Sequence, residues 1–92
     1  MAKLLIKSAD ARDAERAVAL DAASETLVGR AAENQIVLNG NTVSRQHLSL
    51  VCRDGAYRAR DKGSTYGTRL NGEPLTGEAA LKDGDILQVG GY

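Results

Sequence analysis

The chain has 92 residues, a formal net charge of zero from 12 Lys plus Arg and 12 Asp plus Glu, and neither Phe nor Trp. This length predicts one small domain, and the balanced charge argues against a general electrostatic affinity for nucleic acid or anionic membranes. Three Tyr residues leave little material for a surface that stacks on bases. Any anion-binding site must therefore be local.

The cysteine content and the first ten residues indicate the cellular compartment in which the protein is expected. The single cysteine, Cys52, excludes an internal disulfide framework and a four-cysteine metal site, and its apolar surroundings predict a buried structural thiol. The apolar run over residues 4–6 is too short for a signal peptide, and no stretch approaches transmembrane length. These features predict a cytoplasmic protein.

The first 25 residues allow two interpretations. Leu4, Leu5 and Ile6 are typical of a strand, and Val18 and Leu20 alternate with small or polar residues, so strand, loop, strand is favoured. The alternative is a short helix over residues 9–23, because this segment is rich in Ala, Arg, Asp and Glu.

After residue 26, short apolar runs alternate with turn residues, which is an all-β pattern. Leu48, Leu50 and Cys52 are predicted to face one side of a strand, and His47, Ser49 and Val51 the other. Asp54-Gly55 then makes residues 47–60 a hairpin. Further strands are predicted at 27–28, 36–38, 68–70 and 86–89, separated by turns at Asn39-Gly40, Asn71-Gly72 and Lys82–Asp85. We therefore expect a small β-sandwich of mainly antiparallel strands, with polar loops at one end.

Ser44, three residues before His47, raises the possibility of nucleophilic catalysis. Such a pair also needs a carboxylate that orients the imidazole and an oxyanion hole. The chain has one His and no Gly-x-Ser-x-Gly elbow, so this histidine is expected to tie down a loop. One His without clustered Asp or Glu also leaves too few metal ligands. The sequence therefore predicts no enzyme, no metal site and no cofactor.

The segment Gly63-Ser64-Thr65-Tyr66-Gly67-Thr68 places hydroxyl groups between glycines. It lacks the Gly-Lys-Ser/Thr ending of a nucleotide-binding loop, and no helix pattern follows it. Small residues on a turn can still point backbone N–H groups at an anion. Taken alone, the segment fits an anion site and a plain β-turn equally well.

Five segments, taken in order, indicate a protein family more specifically than any one of them does alone. Together they resemble the forkhead-associated (FHA) domain over about residues 15–91 of the single domain 1–92. The segments are Gly29-Arg30 with Asn34 and 36–38; Val43-Ser44-Arg45-Gln46-His47-Leu48-Ser49-Leu50; Asp61 with Ser64-Thr65-Tyr66-Gly67-Thr68; Asn71-Gly72; and Leu81 with Gly84-Asp85 and 87–90. The resemblance implies a β-sandwich of the FHA/SMAD-like kind whose loops at one end hold a phosphothreonine peptide.

The resemblance also implies a role for individual residues. Arg30 and Ser44 match the family's phosphate-binding arginine and serine, Arg45 matches a position that contacts the phosphopeptide, and Thr65 matches one that reaches the phosphate. The positions that match scaffold residues of the site are Gly29, His47, Gly67 and Asn71.

The chemistry of these residue types suits a phosphothreonine, which carries a charge of about −1.5 to −2 and three strong acceptor oxygens. The planar fork of Arg30 can meet two of those oxygens, and hydroxyl groups of Ser44 and Thr65 add directed donors. Arg45, Lys62 and Arg69 can add local positive potential, although a solvated charged face is the favoured interpretation for Lys62 and Arg69.

Two departures from the family pattern stand out. Tyr66 occupies the position where the family usually has Asn, whose side chain pairs with the peptide backbone, so recognition beside the phosphothreonine is expected to be weaker or differently shaped. The family also continues past the Val89-Gly90 position into one more strand, whereas this sequence stops at Tyr92. The expectation is a fragment of a longer protein, or an unpaired sheet edge near Leu4–Ile6 that favours self-association.

The resulting hypothesis is a phosphothreonine-dependent adaptor in signalling by Ser/Thr protein kinases, with no nucleic-acid or membrane partner. The alternative is a scaffold or oligomerisation module that keeps the FHA fold and uses a face independent of phosphate. Replacing Arg30 by Ala separates the two, because only the first function needs that side chain.

Overall fold

The structure, a computed structural model, describes residues 3–8 and 15–92. These residues form ten strands and no helix, which confirms the all-β class. The strands are β1 (Lys3–Ile6), β2 (Arg16–Ala19), β3 (Thr26–Gly29), β4 (Ile36–Val37), β5 (Leu48–Arg53), β6 (Ala56–Asp61), β7 (Thr68–Leu70), β8 (Glu73–Pro74), β9 (Glu78–Ala80) and β10 (Leu87–Val89).

Three sheets contain these strands. The largest has the order β4-β3-β5-β6-β9, a second has the order β10-β7-β8, and β1 pairs with β2 in a third. All pairs are antiparallel except β3 and β4, which run parallel. The predicted sandwich of mainly antiparallel strands is therefore confirmed, with one parallel pair at an edge.

The hairpin formed by β5 and β6 is the longest strand pair, and its register runs from Leu48 opposite Asp61 to Arg53 opposite Ala56. Asp54 and Gly55 both have positive φ angles, 55° and 80°, as a two-residue hairpin turn that matches the strand twist requires. The predicted hairpin over residues 47–60 is confirmed, although its first strand begins one residue later than expected, at Leu48, and its second ends one residue later, at Asp61.

The core lies beneath this hairpin. Leu48 and Leu50 are buried among apolar side chains from β3, β4, β6 and β10, as the alternating pattern predicted, whereas Cys52 is only half-buried. The expectation of a buried thiol is therefore wrong. Ser49 on the opposite face is also buried, and its hydroxyl is satisfied by a hydrogen bond that it donates to the Glu25 carboxylate.

β1 and β2 form a two-stranded antiparallel ribbon at the N-terminal end of the described chain. As far as the described residues reach, this ribbon confirms the favoured prediction of a strand, a loop and a second strand. Its register runs from Lys3 opposite Ala19 to Ile6 opposite Arg16. The helix alternative is wrong for residues 15–23, which contain β2 and a turn, and residues 9–14 lie outside the described part. The ribbon is attached by Leu20 in the core and by hydrogen bonds from Tyr57 Oη to Leu20 O (3.4 Å) and from Arg16 Nη2 to Val37 O (2.6 Å). Within the described residues, no helix is long and apolar enough to cross a membrane.

Two short strands were absent from the prediction. β8 contains Pro74 and pairs only with β7, at a sheet edge where a residue without an N–H is tolerated. β9 has the sequence Glu-Ala-Ala, which has little intrinsic strand preference, and it pairs with β6 at the edge of the large sheet. Both strands form because a longer partner supplies the hydrogen bonds.

Candidate functional site

Three loops hold the residues that the sequence singled out: residues 30–35 between β3 and β4, 38–47 between β4 and β5, and 62–67 between β6 and β7. The first two are joined through their backbones. Arg30 N–H donates to Ser44 O at 2.9 Å, and Ala31 N–H donates to Arg45 O at 3.1 Å. Asn34 Nδ2 also donates to Arg45 O at 2.6 Å. This pairing places Arg30, Ser44 and Arg45 side by side.

Gly29 permits this close approach. A Cβ atom built on Gly29 would lie 2.2 Å from Arg45 O, 2.8 Å from Arg45 C and 2.9 Å from Asn34 Nδ2. Real Cβ atoms do not approach backbone atoms so closely, so any side chain here would push the two loops apart. A scaffold function for Gly29 stays a prediction, but its physical reason is now specific.

His47 connects the second loop with the third. Its side chain is 0% exposed. Nδ1 lies 3.0 Å from Ser44 N, and Nε2 lies 2.9 Å from Gly67 O. A backbone N–H can only donate and a carbonyl can only accept, so these partners assign the neutral tautomer with its proton on Nε2. The His47 backbone bonds as well, from its N–H to Val28 O and from Lys62 N–H to its own carbonyl, each at 2.9 Å.

This geometry does not form a catalytic dyad. His47 Nδ1 accepts from the backbone of Ser44, and the Ser44 hydroxyl instead accepts a hydrogen bond from Thr65 N–H at 3.0 Å. Both imidazole nitrogens are therefore engaged with backbone groups, and neither is positioned to take the serine proton.

The Ser44 hydroxyl also joins the second and third loops. Because Oγ accepts from Thr65 N–H, the hydroxyl proton remains available as a directed donor. Arg30 is held in a comparable way: its Nε donates to Val43 O at 3.1 Å. The two terminal nitrogens of its guanidinium group are not used by that bond, and they can donate to an anion.

Arg30 and Arg45 are both exposed and line an open groove of about 690 Å³. Tyr66 is 68% exposed and lies between Thr65, which is bonded to Ser44, and Gly67, which is bonded to His47. The structure thus brings Arg30, Ser44, Arg45, Thr65 and Tyr66 onto adjoining loops. Gly29 and His47 are buried where these loops meet, and Gly67 is an exposed residue whose carbonyl is bonded to His47. Their individual functions remain predictions.

Asn71 does not lie in this group. It occupies the turn between β7 and β8 with a φ of 53°, its Nδ2 donates to Asp85 Oδ1 at 3.0 Å, and its Oδ1 accepts from Ile86 N–H at 2.9 Å. The hydrogen bond from Asn71 lowers the pKa of the Asp85 carboxyl. Asn71 therefore joins β7 to the segment before β10, and its support of the loop over residues 62–67 stays a prediction.

Lys62 and Arg69, the two other cations that the sequence singled out, differ in their surroundings. Arg69 Nη1 donates to Gly72 O at 3.1 Å, which directs this side chain toward the turn after β7. Lys62 is exposed, and its backbone N–H bonds to His47 O. The interpretation of Arg69 as part of a solvated face fits this geometry better than a contact with an anion.

Asp61 organises the third loop, and the sequence reasoning gave it no function of its own. Its Oδ1 accepts from Gly63 N–H and Ser64 N–H, both at 2.8 Å, and its Oδ2 accepts from Ser64 Oγ at 2.6 Å and Thr68 Oγ1 at 2.7 Å. Burial alone raises the pKa of this carboxyl, but the hydrogen bonds from Ser64, Thr68 and Gly63 outweigh it, so the pKa lies below its usual value. The pattern Asp-x-Gly-Ser is a signal for such a turn.

The described residues contain no group of three or more His, Cys, Asp or Glu that is arranged to hold a metal ion. The loops carry a cluster of hydrogen-bond donors. These are the exposed guanidinium groups of Arg30 and Arg45, the Ser44 hydroxyl, whose oxygen accepts from Thr65 N–H, and the Thr65 hydroxyl in a glycine-flanked turn. Such a set suits a compact, multiply charged oxyanion.

Known proteins resemble this chain in sequence and in fold. The family model of the FHA domain matches residues 26–90. The chain belongs to the FHA domain family. This FHA domain is 40% identical over 67 residues to the oxoglutarate dehydrogenase inhibitor of Corynebacterium diphtheriae, a match that covers 73% of the chain and 46% of that protein. The chain thus spans about half the length of the curated relatives it matches.

Two solved structures extend the likeness to three dimensions. The FhaA FHA domain, complexed with the intracellular domain of Rv3910, has a TM-score of 0.75 and 32% identity, over 82% of this chain and 80% of that one. A second FHA domain, solved in a structural and functional analysis of phosphothreonine-dependent FHA domain interactions, has a TM-score of 0.75 and 26% identity, over 97% of this chain and 88% of that one.

Proposed function

We propose that this FHA domain binds partner proteins that carry a phosphorylated threonine, and that it acts as an adaptor downstream of a Ser/Thr protein kinase. The observation that carries the proposal is the arrangement around Ser44. Its hydroxyl accepts from Thr65 N–H, and its carbonyl accepts from Arg30 N–H. One residue thereby holds the backbone of the other two residues whose side chains would donate to a phosphate.

The proposed contacts follow from the chemistry of each group. The terminal nitrogens of Arg30 meet two phosphate oxygens, while Ser44 and Thr65 donate from their hydroxyl groups. Arg45 adds a second positive charge on the groove wall. Since the whole chain has no net charge, attraction comes from these local cations and falls off within about 8 Å at physiological ionic strength.

Tyr66 contacts the residue beside the phosphothreonine in this proposal. Its phenol ring is 68% exposed and offers a single hydroxyl in place of the amide that the family usually has there. Recognition next to the phosphothreonine therefore depends on packing against a ring more than on hydrogen bonds with the peptide backbone.

Calorimetric titration tests the proposal, with a pool of phosphothreonine peptides and their phosphoserine and unphosphorylated counterparts. We expect heat only with the phosphothreonine pool, at micromolar strength, or about −8 kcal/mol. Arg30→Ala should abolish this binding. Arg60→Ala is the matched control, because it removes the same charge from an exposed position on β6. Equal binding by the wild-type domain and Arg30→Ala would refute the proposal.

The second candidate is a scaffold that does not need phosphate, and the exposed Tyr66 in place of Asn favours it. Self-association belongs to this candidate. In the described part of the chain, β1 pairs only with β2, so one edge of β1 presents open backbone groups. A mass in solution that rises with concentration, and a partner protein retained by Arg30→Ala, would support the scaffold.

The proposal describes a binding module that performs no catalysis and needs no cofactor. It includes a cytoplasmic location, where a kinase that uses cytoplasmic ATP would phosphorylate the partner. Fractionation of cells that produce the tagged protein tests the location directly.

A further inference from the structure

The groove beside the proposed phosphate site contains a charge that phosphate binding does not use. Two cations, one carboxylate and three uncharged residues line it: Arg30, Arg45, Glu33, Ala31, Ala32 and Gln46. Glu33 is exposed, and among residues 3–8 and 15–92 it forms no ion pair within 4.0 Å, even though both arginines share its groove.

The net charge of the groove changes from positive to negative when a phosphate enters. In the unbound domain, Arg30 and Arg45 contribute two positive charges and Glu33 one negative charge. A phosphothreonine adds about −1.5 to −2, which matches the two arginines. The Glu33 carboxylate is then an unmatched negative group on the groove wall.

The shape of the groove leaves room for a second side chain. Ala31 and Ala32 are the smallest residues with a side chain, and they separate Arg30 from Glu33 along the loop. The long hydrocarbon stem of a lysine or arginine can lie along such methyl groups while its charged end stays in water. The adjoining loop over residues 39–43 has no charged side chain, so it adds no competing charge preference.

We propose that Glu33 is a specificity-determining residue, which selects a phosphothreonine peptide carrying a lysine or arginine close to the phosphothreonine and disfavours one carrying an acidic residue there. This inference rests on the proposed function, since it describes the same site with its phosphate bound. The basic side chain of the peptide lies over Ala31 and Ala32, and its cation faces the Glu33 carboxylate.

The expected preference is modest, because the pair is exposed. Exposed ion pairs correspond to a change of roughly 1.5- to 5-fold in an equilibrium constant. The preference should shrink as salt is added, since the Debye length falls from about 10 Å at 0.1 M to about 3 Å at 1 M.

Fluorescence anisotropy with labelled phosphothreonine peptides tests the inference. Each position flanking the phosphothreonine is replaced in turn by Lys, Ala or Glu, and every peptide is titrated with the wild-type domain, Glu33→Gln and Glu73→Gln. Glu73→Gln is the matched control, because it makes the same change at an exposed position on β8. Thermal melting shows whether the variants are folded.

We expect one flanking position at which the wild-type domain and Glu33→Gln differ. There, the wild-type domain and Glu73→Gln bind the Lys peptide a few-fold more tightly than the Glu peptide, and Glu33→Gln loses that difference. An unchanged preference in Glu33→Gln, or no preference at any position while phosphothreonine peptides bind, overturns the inference and leaves the proposed function intact. Absence of binding by every phosphothreonine peptide overturns both.

Discussion

Replacing His47 by Ala should remove a large part of the stability of this domain. Because the side chain is 0% exposed and both ring nitrogens are bonded, truncation leaves Ser44 N–H and Gly67 C=O without their partners and opens a cavity. An unsatisfied buried group costs about 1–3 kcal/mol, and truncation of a large buried side chain about 2–5 kcal/mol. These contributions overlap, so we expect a loss of roughly 3–5 kcal/mol, compared with about 5–14 kcal/mol in total for a domain of this size.

Urea unfolding followed by far-ultraviolet circular dichroism measures this loss, since the chain has no Trp to report by fluorescence. With a slope of about 1 kcal/mol/M, a loss of 3 kcal/mol lowers the midpoint by roughly 3 M. His47→Asn distinguishes the hydrogen bonds from the cavity, because its Oδ1 can still accept from Ser44 N–H. This variant should be more stable than His47→Ala by about 1 kcal/mol.

The same variants connect the fold with the proposed site. His47→Asn should retain more affinity for a phosphothreonine peptide than His47→Ala measured under conditions where both are folded, because it still holds the backbone of Ser44. A midpoint for His47→Ala within about 0.5 M of the wild-type value would refute the reasoning, since it would mean that the two bonds and the buried volume contribute almost nothing.

Three further predictions concern Asp61, Gly29 and Tyr66. The pKa of Asp61 is lower in the folded state, so its contribution to stability is present above the unfolded value of about 3.9 and is lost as the pH falls through the folded pKa. The difference in stability between wild type and Asp61→Asn, measured by urea unfolding, should therefore shrink over that range, and a difference that stays constant with pH would contradict the reasoning. Gly29→Ala should separate the first two loops, because its Cβ would lie 2.2 Å from Arg45 O, and lost chemical-shift dispersion at Ser44 in an NMR spectrum would detect it; a spectrum like the wild type would contradict this. Tyr66→Asn should bind a cognate phosphothreonine peptide at least as tightly as wild type, and weaker binding by calorimetry would show that the ring adds a favourable contact.

The sequence predicted most of the large sheet and the hairpin, because strict alternation at Leu48 and Leu50 and the turn Asp54-Gly55 are local signals. It did not predict β8 and β9, because Glu73-Pro74 and Glu78–Ala80 have little strand preference and pair only with strands that are already formed. Their structure is set by tertiary contacts that no local pattern contains.

The candidate site also has one part that the sequence could predict and one part that it could not. Arg30, Ser44 and Thr65 came from a family motif, and the structure places them on adjoining loops. The bond from Thr65 N–H to Ser44 Oγ joins residues 21 positions apart, so no local signal carries it. The four hydrogen bonds at Asp61 span at most seven residues and were open to prediction from the turn pattern, but the sequence analysis treated that residue only as part of a motif.

The bonds at Ser44 and Thr65 have a consequence for the entropy of binding. Loops at the end of a β-sandwich ordinarily lose conformational freedom when a ligand arrives, and that loss opposes association. Here the amide of Ser44 is bonded to an imidazole and the amide of Thr65 to a hydroxyl, and both partners belong to the domain itself. Much of the ordering is therefore completed during folding, and both amides should exchange their hydrogens slowly for loop positions. Under the proposed function, a phosphothreonine peptide would meet loops that these internal hydrogen bonds already hold, so less loss of loop freedom would oppose its binding.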